Sequence, residues 1–304
     1  MSAFEPGADA TAEVSRNTAP AAPLPSLDAV MPAQIAEKAT DIGATKAGMA
    51  TLPMFALAVL AGAFIALGAL FATTVVAGAA DSIPFGVTRL LAGLVFCLGL
   101  ILVVVAGAEL FTGNNLIAMA WAERKVSARA LMRNWTIVYF GNLVGALGTV
   151  LLVFLGGQYE FGDGAVGSSA LAIAEAKADL GFGRALALGI MCNALVCLAV
   201  WLTYSARSVT DKILAIIFPI SAFVAAGFEH SVANMYFLPA GLVIKEWGSD
   251  SFFTAGGVSP GDFPELTAYN AVVENLIPVT IGNVIGGSVM VGLVYWLIYI
   301  RARP

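Results

Sequence analysis

The residues best suited to proton or anion chemistry in this sequence are one histidine and two glutamates within otherwise apolar stretches. His230 is the only histidine among 304 residues, and it directly follows Glu229. Glu109 has a similar setting earlier in the chain. An imidazole changes its charge near neutral pH more readily than other side chains. Ionisable groups in apolar segments usually face a polar cavity or each other, so a transport pathway is the first hypothesis.

The two glutamates belong to matching sequence patterns. A glycine, Gly107 or Gly227, stands two residues before each acid, and an asparagine stands five residues after it. The offset between the two patterns is 120 residues throughout. The surrounding stretches, 86–124 and 209–247, are each too long for one simple span. Interrupted segments in corresponding positions indicate discontinuous helices beside a binding site or pore.

A second internal match extends this repeat. Residues 134–146 align with residues 275–287 at an offset of 141, and the extra residues fall in the loop 248–267. Because each copy has three segments, the second copy must insert upside down. This predicts an inverted repeat over about 47–158 and 181–301. No convincing sequence match links the first segment with the fourth.

The composition is typical of a membrane protein. Hydrophobic residues make up 59% of the chain and charged residues 12%, and the mean hydropathy is +0.88. The charges are separated by uncharged runs long enough to cross a bilayer. They predict six spanning helices, centred near residues 64, 104, 146, 195, 228 and 288. The expected fold class is therefore an all-α membrane protein in which the second and fifth helices are broken.

The distribution of basic residues orients these segments. With the N-terminus in the cytoplasm, eleven Lys and Arg residues fall on the inner side. Only four, Arg89, Lys177, Arg184 and Lys245, fall on the outer side. This asymmetry predicts that both termini are cytoplasmic. No basic run indicates nucleic-acid binding, and we expect no nucleic-acid partner.

Two short regions precede the first span. Residues 1–27 are rich in Ala and Pro and lack a hydrophobic signal region, so we predict a disordered cytoplasmic tail. Residues 28–46 have apolar residues at helical spacing, which predicts an amphipathic helix at the cytoplasmic surface. This helix can be an interfacial anchor or a mobile plug over a pore, and the sequence favours neither. The six-helix domain then extends over 47–303.

Little in the sequence supports catalysis. Cys97, Cys192 and Cys197 fall within spanning segments without metal-type spacing, so we interpret them as core residues. One histidine, without a ligand cluster or a nucleophile–base pair, argues against an enzyme. We therefore predict no cofactor and no metal site.

Four motifs resemble those of the formate/nitrite transporter family. They are Gly107-Ala-Glu-Leu-Phe-Thr-Gly113, Gly189-Ile-Met-Cys-Asn-Ala-Leu-Val-Cys-Leu-Ala199, Gly227-Phe-Glu-His-Ser-Val-Ala-Asn-Met235 and Asn275-Leu-Ile-Pro-Val-Thr-Ile-Gly-Asn283. The similarity covers roughly residues 28–301 and is greatest to the formate channels. It implies an aquaporin-like protomer with its own pore, assembled as a homopentamer among the lipids of the cytoplasmic membrane.

The resemblance also implies a substrate and a pathway. The expected substrates are small monovalent anions or their conjugate acids, formate first, with nitrite, acetate, lactate and hydrosulfide as alternatives. The implied constrictions are formed by Phe96 and Phe223 on one side and by Leu100 and Phe111 on the other. Gly113 departs from relatives that carry serine there, which affects the expected flexibility of its loop. The residues assigned to the substrate pathway are His230, Thr112, Lys177, Asn193, Glu229 and Asn234.

The family picture predicts a formate channel with pH-dependent permeation and no covalent chemistry. A bare anion pays a large desolvation penalty in an apolar constriction, whereas its neutral acid does not. Lys177 would concentrate the anion, and His230 would hydrogen-bond it and donate a proton. The alternatives are a nitrite or hydrosulfide channel of the same fold and a non-conducting scaffold, which would not need matching breaks in both repeats.

Each candidate residue also has a purely structural interpretation. His230 can be a buried imidazole bonded to the neighbouring broken helix, and Lys177 can be a snorkelling surface lysine. We expect the two glutamates to satisfy unpaired amides of the half-helices rather than to meet substrate. Thr112 and Ser231 are expected to cap the helices that follow them. The four constriction residues would be core or lipid-facing in any membrane protein.

Overall fold

The computed structural model describes residues 28–79 and 82–302, and the described chain is all-helical, without strands. The predicted tail, 1–27, lies outside the described residues. The helices in chain order are α1 (Pro32–Gly48), α2 (Thr51–Val76), α3 (Phe85–Gly107), α4 (Phe111–Asn114), α5 (Ile117–Ala122), α6 (Ala128–Leu155), α7 (Ala165–Ala178), α8 (Phe182–Ser205), α9 (Val209–Ala225), α10 (Ser231–Trp247), α11 (Asp250–Gly256) and α12 (Asn270–Arg301).

Within the described ranges, five helices are long and apolar enough to cross a membrane. These are α2, α3, α6, α8 and α12. The chain is therefore a multi-pass membrane protein. The segment predicted around residue 228 is instead divided into α9 and α10, which have 17 residues each. Each of these helices is shorter than the roughly 20 residues needed to span a bilayer.

The interruption between α9 and α10 is a glycine-terminated helix end. Gly227 has a φ of +75°, a left-handed conformation that favours glycine. Its N–H bonds the carbonyl of Val224 at 3.1 Å, and the N–H of Phe228 bonds that of Phe223 at 3.0 Å. This pair of bonds is the Schellman arrangement that ends many helices. The chain then becomes extended, and α10 begins at Ser231.

The helix α3 ends in a corresponding way. Its last turn, Leu102–Gly107, is π-helical, a conformation found frequently at functional sites. Gly107 has a φ of +83°, and Ala108 after it is extended. The short helix α4 then begins at Phe111. The sequence equivalence of Gly107 and Gly227 thus corresponds to the same backbone turn.

Two close helix crossings relate the halves of the protein. A Cβ atom on Gly145 of α6 would lie 1.9 Å from the carbonyl oxygen of Val59 in α2. A Cβ atom on Gly286 of α12 would lie 2.1 Å from that of Ile190 in α8. Only glycine permits such close contact between backbones. Val59 of α2 and Ile190 of α8 therefore occupy equivalent positions, 131 residues apart. This equivalence of the first and fourth spans was not visible in the sequence.

The region 28–46, predicted as an amphipathic helix at the cytoplasmic surface, contains most of α1, which begins with Pro32 and ends at Gly48. Proline is favoured in the first turn of a helix because its missing N–H would be unpaired there anyway. Lys38 Nζ donates to the carbonyl of Tyr204 at 2.8 Å, and Asp41 forms an ion pair of 2.6 Å with Lys125. The buried residues of α1 are Ile35, Ala36, Ala39, Thr40, Gly43 and Ala47.

Candidate functional site

His230 and Thr112 meet in the protein interior. Thr112 Oγ1 lies 2.9 Å from His230 Nε2, and both residues are buried. The backbone N–H of Ala233 donates to His230 Nδ1 at 3.0 Å, so the imidazole is the N-cap of α10. Because Nδ1 accepts this bond, the neutral ring carries its proton on Nε2. Nε2–H then donates to the Thr112 oxygen, and the threonine keeps its own proton for another acceptor.

An ion pair holds the acid of the first break. Lys46 Nζ, from the last turn of α1, lies 2.8 Å from Glu109 Oε1 and donates to Asn114 Oδ1 at 3.0 Å. Asn114 Nδ2 donates to Glu109 Oε2 at 2.7 Å and to Asn134 Oδ1 at 2.9 Å. The carboxylate is thus both paired and hydrogen-bonded, as a buried charge must be.

The second break repeats this arrangement. Lys177 Nζ lies 2.8 Å from Glu229 Oε1, and Asn234 Nδ2 donates to Glu229 Oε2 at 2.7 Å. Asn234 also donates to Asn275 Oδ1 at 2.7 Å. The two networks differ in two respects. Lys177 lies 5.2 Å from the ring centroid of Phe237, and Asn234 Oδ1 has no hydrogen-bond partner among the described residues.

Two asparagines, rather than the glutamates, satisfy the first amides of the half-helices. Phe111 N–H donates to Asn142 Oδ1 at 2.9 Å, and Ser231 N–H donates to Asn283 Oδ1 at 2.9 Å. The expectation that Glu109 would perform this task was wrong, as was the same expectation for the second glutamate. Both carboxylates are already occupied by lysine and asparagine donors, which offer stronger charge-assisted bonds.

The predicted helix caps also differ from those observed. The cap of α10 is the His230 side chain, and Ser231 Oγ is buried without a hydrogen-bond partner. The helix α4 has no side-chain cap, and the Thr112 hydroxyl lies against His230 instead. The imidazole therefore caps α10 through Nδ1 and contacts Thr112 of the first repeat through Nε2.

Asn193 of α8 links the first break to α12. Its Nδ2 lies 3.2 Å from the carbonyl oxygen of Thr112 and 2.7 Å from that of Asn283. A third contact, to Asn115 Oδ1, is 2.7 Å long. At the offset of 131, the matching residue in α2 is Gly62. Asn193 thus adds a polar bridge that has no equivalent in the first repeat.

The predicted constriction residues are all buried but have different surroundings. Phe96 and Phe223 pack edge to face at 5.5 Å, and Phe223 stacks on His230 at 5.9 Å. Leu100 lines a cavity of about 340 Å³ on the Lys46 side of the molecule, together with Ile42, Lys46, Val103 and Glu109. Phe111 packs edge to face on Tyr139 at 5.0 Å. The first pair therefore adjoins the histidine directly.

Sequence reasoning missed several residues of this site. Lys46 was included only among the eleven basic residues of the inner side. It is equivalent to Lys177 at the offset of 131, but the first and fourth segments have no visible sequence similarity that would reveal this. Asn142 and Asn283 stand at corresponding positions of the two matching stretches, 134–146 and 275–287. Their equivalence was a usable signal, but a repeated asparagine does not reveal which amides it will satisfy.

A helical multi-pass protein with paired buried charges and a buried histidine falls within the class of membrane channels and transporters. The chain belongs to the formate/nitrite transporter family, whose model matches residues 33–297. The resemblance found in the motifs is therefore confirmed. This family comprises channels and transporters rather than enzymes.

Individual relatives extend this comparison. The formate channel FocA of Escherichia coli strain K12 is 47% identical over 274 residues, which covers 90% of this chain and 96% of the relative. FocA of Haemophilus influenzae is 40% identical over 265 residues, covering 87% and 93%. A solved structure described as a pentameric formate channel with formate bound has a TM-score of 0.78 and 48% identity, covering 82% of this chain and 98% of that one.

Proposed function

We propose that this protein is a formate channel that passes formate, or formic acid, across the cytoplasmic membrane. The observation that carries the proposal is the buried contact between Thr112 and His230, with a lysine–glutamate pair at each of the two breaks. Relatives that bear the name formate channel are 47% and 40% identical to this chain over most of its length. Permeation is expected to depend on pH through the central histidine.

The proposed architecture is an aquaporin-like inverted repeat of six spans. The helices α3 to α5 form the broken second span, and α9 and α10 form the broken fifth. Two contacts join residues at corresponding positions of the repeats: Tyr139 with Thr280 at 3.1 Å, and Cys97 with the carbonyl of Ile217 at 3.5 Å. Residues related by a two-fold axis touch each other only close to that axis. These contacts support a two-fold relation between the repeats, and because each repeat has three spans, we propose that the axis lies in the membrane plane.

The depth of the site follows from the same axis. Thr112 and His230 are separated by 118 residues, close to the offset of 120 that relates the two breaks. Their contact therefore lies near the axis and near the membrane midplane. An ionised side chain at that depth costs about 3 kcal/mol, so the imidazole is more stable there in its neutral form. The site thus favours transfer of a neutral or shared-proton species.

The domain organisation is proposed from sequence and contacts together. Residues 1–27 form a cytoplasmic tail, and the channel domain extends over 47–303, with both termini inside the cell. The helix α1 is proposed to be a fixed wall of the inner cavity rather than a plug, because its residues Ile42 and Lys46 line that cavity. Its other contacts to α8 and to the turn before α6 support the same role.

The lysines are proposed to concentrate anions at the two mouths. Among the described residues, Glu229 is the one ion-pair partner of Lys177, so two of the three ammonium protons are available to an anion. The paired glutamate lowers the cost of holding this charge in a largely buried position. The positive end of α10 adds to the attraction for an anion near His230. Glu229, Asn234 and Asn193 then act by positioning the lysine, the histidine and Thr112.

At the centre, the Thr112 hydroxyl is proposed to donate to the anion while accepting from His230 Nε2–H. The hydrogen bond from Thr112 delocalises part of the negative charge of the anion. The anion then passes between Phe96 and Phe223 with a lower effective charge. The constriction formed by Leu100 and Phe111 would act in the same way toward the inner cavity. No bond to the substrate is made or broken except to its acidic proton.

The assembly is proposed to be a homopentamer embedded in lipid. Many large apolar side chains on the outside of the helices are exposed, including Leu152 at 72% and Phe218 at 78%. Apolar surfaces of this kind require lipid or another subunit. The solved structure with 48% identity is described as pentameric, which makes five copies the expected state.

Uptake of labelled formate into liposomes tests this proposal. Liposomes containing the purified protein should take up formate faster than empty liposomes, and unlabelled formate should compete more strongly than nitrite, acetate or lactate. Stronger competition by nitrite or by hydrosulfide would favour the alternative channel of the same family. Uptake equal to that of empty liposomes, by protein that retains its assembled size, would contradict transport and favour a non-conducting scaffold.

A further inference from the structure

Arg89 of α3 contacts the end of α9 at the second break. Its Nε donates to the carbonyl of Ala225 at 3.3 Å, and its Nη2 donates to the carbonyl of Val224. The guanidinium also lies beside Gly227, where a Cβ atom would be 3.4 Å from Nη2. The last carbonyls of a helix have no intrahelical donor and form the negative end of its dipole. The carbonyl of Val224 also accepts the N–H of Gly227, so the half-buried guanidinium adds a second donor there and gives the carbonyl of Ala225 a charged donor.

Within the part of the chain that the structure describes, no cation bonds the first break in this way. At the offset of 120, the residue equivalent to Arg89 is Val209, which is 54% exposed at the start of α9. No side chain of the described ranges donates to the corresponding carbonyls of Val104 and Val105. A Cβ atom on Gly107 would meet nothing within 4 Å, and this residue lines the cavity of about 340 Å³. The turn at Gly227 is thus bonded by Arg89, whereas the equivalent turn at Gly107 borders a cavity.

The segment held by Arg89 leads directly to the candidate pathway. Phe223 precedes Val224, and its ring packs edge to face on Phe96 at 5.5 Å and stacks on His230 at 5.9 Å. Movement of the end of α9 would move this ring. The two breaks have matching glycines, acids and asparagines, so the guanidinium is a specific difference between them rather than part of the shared design.

We propose that Arg89 is a positioning residue that locks the second break and holds Phe223 in place. Its charge stabilises the end of α9, and its two bonds fix the direction in which the chain turns toward His230. The aperture between Phe96 and Phe223 then stays narrow enough to favour formate over larger monocarboxylates. This last consequence rests on the proposed function, whereas the lock itself does not.

Hydrogen–deuterium exchange on the full-length protein in lipid nanodiscs tests the lock. In Arg89→Gln, the amides of 226–230 should exchange roughly tenfold faster than in the wild type, because a charged donor at a helix end is lost. Arg89→Lys keeps the charge and should restore most of the protection. Residues 104–110 should exchange at the same rate in all variants. Equal exchange of 226–230 in wild type and Arg89→Gln would overturn the proposal.

The matched control is Arg184→Gln, which removes an exposed arginine predicted on the same side of the membrane. In liposomes, Arg89→Gln should lower the ratio of formate to lactate uptake about threefold or more, because Phe223 would no longer be held in one position. Arg184→Gln should leave the ratio unchanged. Faster exchange with an unchanged ratio would overturn the positioning of Phe223. Wild-type liposomes without formate uptake would contradict the proposed function, while the exchange result would still decide the lock.

Discussion

Asn142 and Asn283 occupy equivalent positions 141 residues apart, and each accepts a hydrogen bond of 2.9 Å from the first amide of a half-helix. Each also donates through Nδ2 to the carbonyl of the glutamate at that break, at 2.9 and 3.0 Å. A second donation reaches the carbonyl of Ala58 or of Gly189. One amide side chain in each repeat therefore joins the break to two neighbouring helices.

Replacing Asn283 by leucine should destabilise the protein strongly. The variant leaves the buried amide of Ser231 unpaired and removes a donor from the carbonyls of Glu229 and Gly189, and an unpaired buried polar group costs about 1–3 kcal/mol. Thermal unfolding in detergent should show a marked fall in Tm. The matched control is Asn270→Ala, because Asn270 bonds only the exposed loop residue Glu265 through its side chain. Equal Tm values for the two variants would contradict the role of Asn283.

Replacing His230 by asparagine should preserve the fold while removing titration. Asparagine is among the best N-cap residues, so its Oδ1 can accept the Ala233 amide in place of Nδ1. It cannot titrate between about pH 5 and 8. Formate uptake, expressed relative to the concentration of formic acid, should therefore lose the pH dependence of the wild type. An intact pH profile in a folded His230→Asn pentamer would assign the titrating step to another group.

Replacing Thr112 by valine should reduce formate uptake without changing the volume of the site. The change leaves His230 Nε2–H buried without its acceptor, at a cost of about 1–3 kcal/mol, and removes the hydroxyl proposed to meet the anion. Thr112→Ser keeps the hydroxyl and serves as the matched control. We expect Thr112→Ser to retain most of the uptake that Thr112→Val loses. Equal uptake by both variants would show that the hydroxyl does not take part.

Replacing Lys177 by glutamine should weaken uptake most at low formate concentration and low salt, because dissolved ions screen the attraction between this lysine and an anion that approaches through the solvent. This single change also leaves Glu229 buried without its partner, which typically costs about 3–5 kcal/mol. The double variant Lys177→Gln/Glu229→Gln removes both charges and should regain stability but not uptake. Recovery of uptake in the double variant would limit Lys177 to a structural role.

Cysteine labelling tests the proposed orientation. Ser259 lies in the exposed loop between α11 and α12, and Ser127 lies before α6. A cysteine at position 259 should react with an impermeant maleimide in intact cells, and one at position 127 should react only after lysis. The native cysteines are buried and provide a low background. Labelling of Ser127→Cys in intact cells would overturn the orientation and the inverted insertion.

The positions of the two breaks and of the unusual polar residues could be predicted from the sequence alone. Gly107 and Gly227 were recognisable because each stands two residues before an acid in an apolar segment. A glycine followed by a buried charge is unusual there and indicates a break in the helix. His230 was recognisable because apolar surroundings make an ionisable group costly. These properties are local, and the motifs that carried the family resemblance are local as well.

The hydrogen-bond and ion-pair partners of these residues could be found only in the tertiary structure. Lys46 reaches Glu109 from 63 residues away, and Asn283 reaches the amide of Ser231 from 52 residues away. A buried polar group must find a partner, but many side chains can supply the same donor or acceptor. The choice depends on which helices cross closely. That is decided by close backbone contacts such as that of Gly145 with Val59. The sequence repeat relates Gly145 to Gly286, but only the packing shows that their partners, Val59 and Ile190, correspond as well.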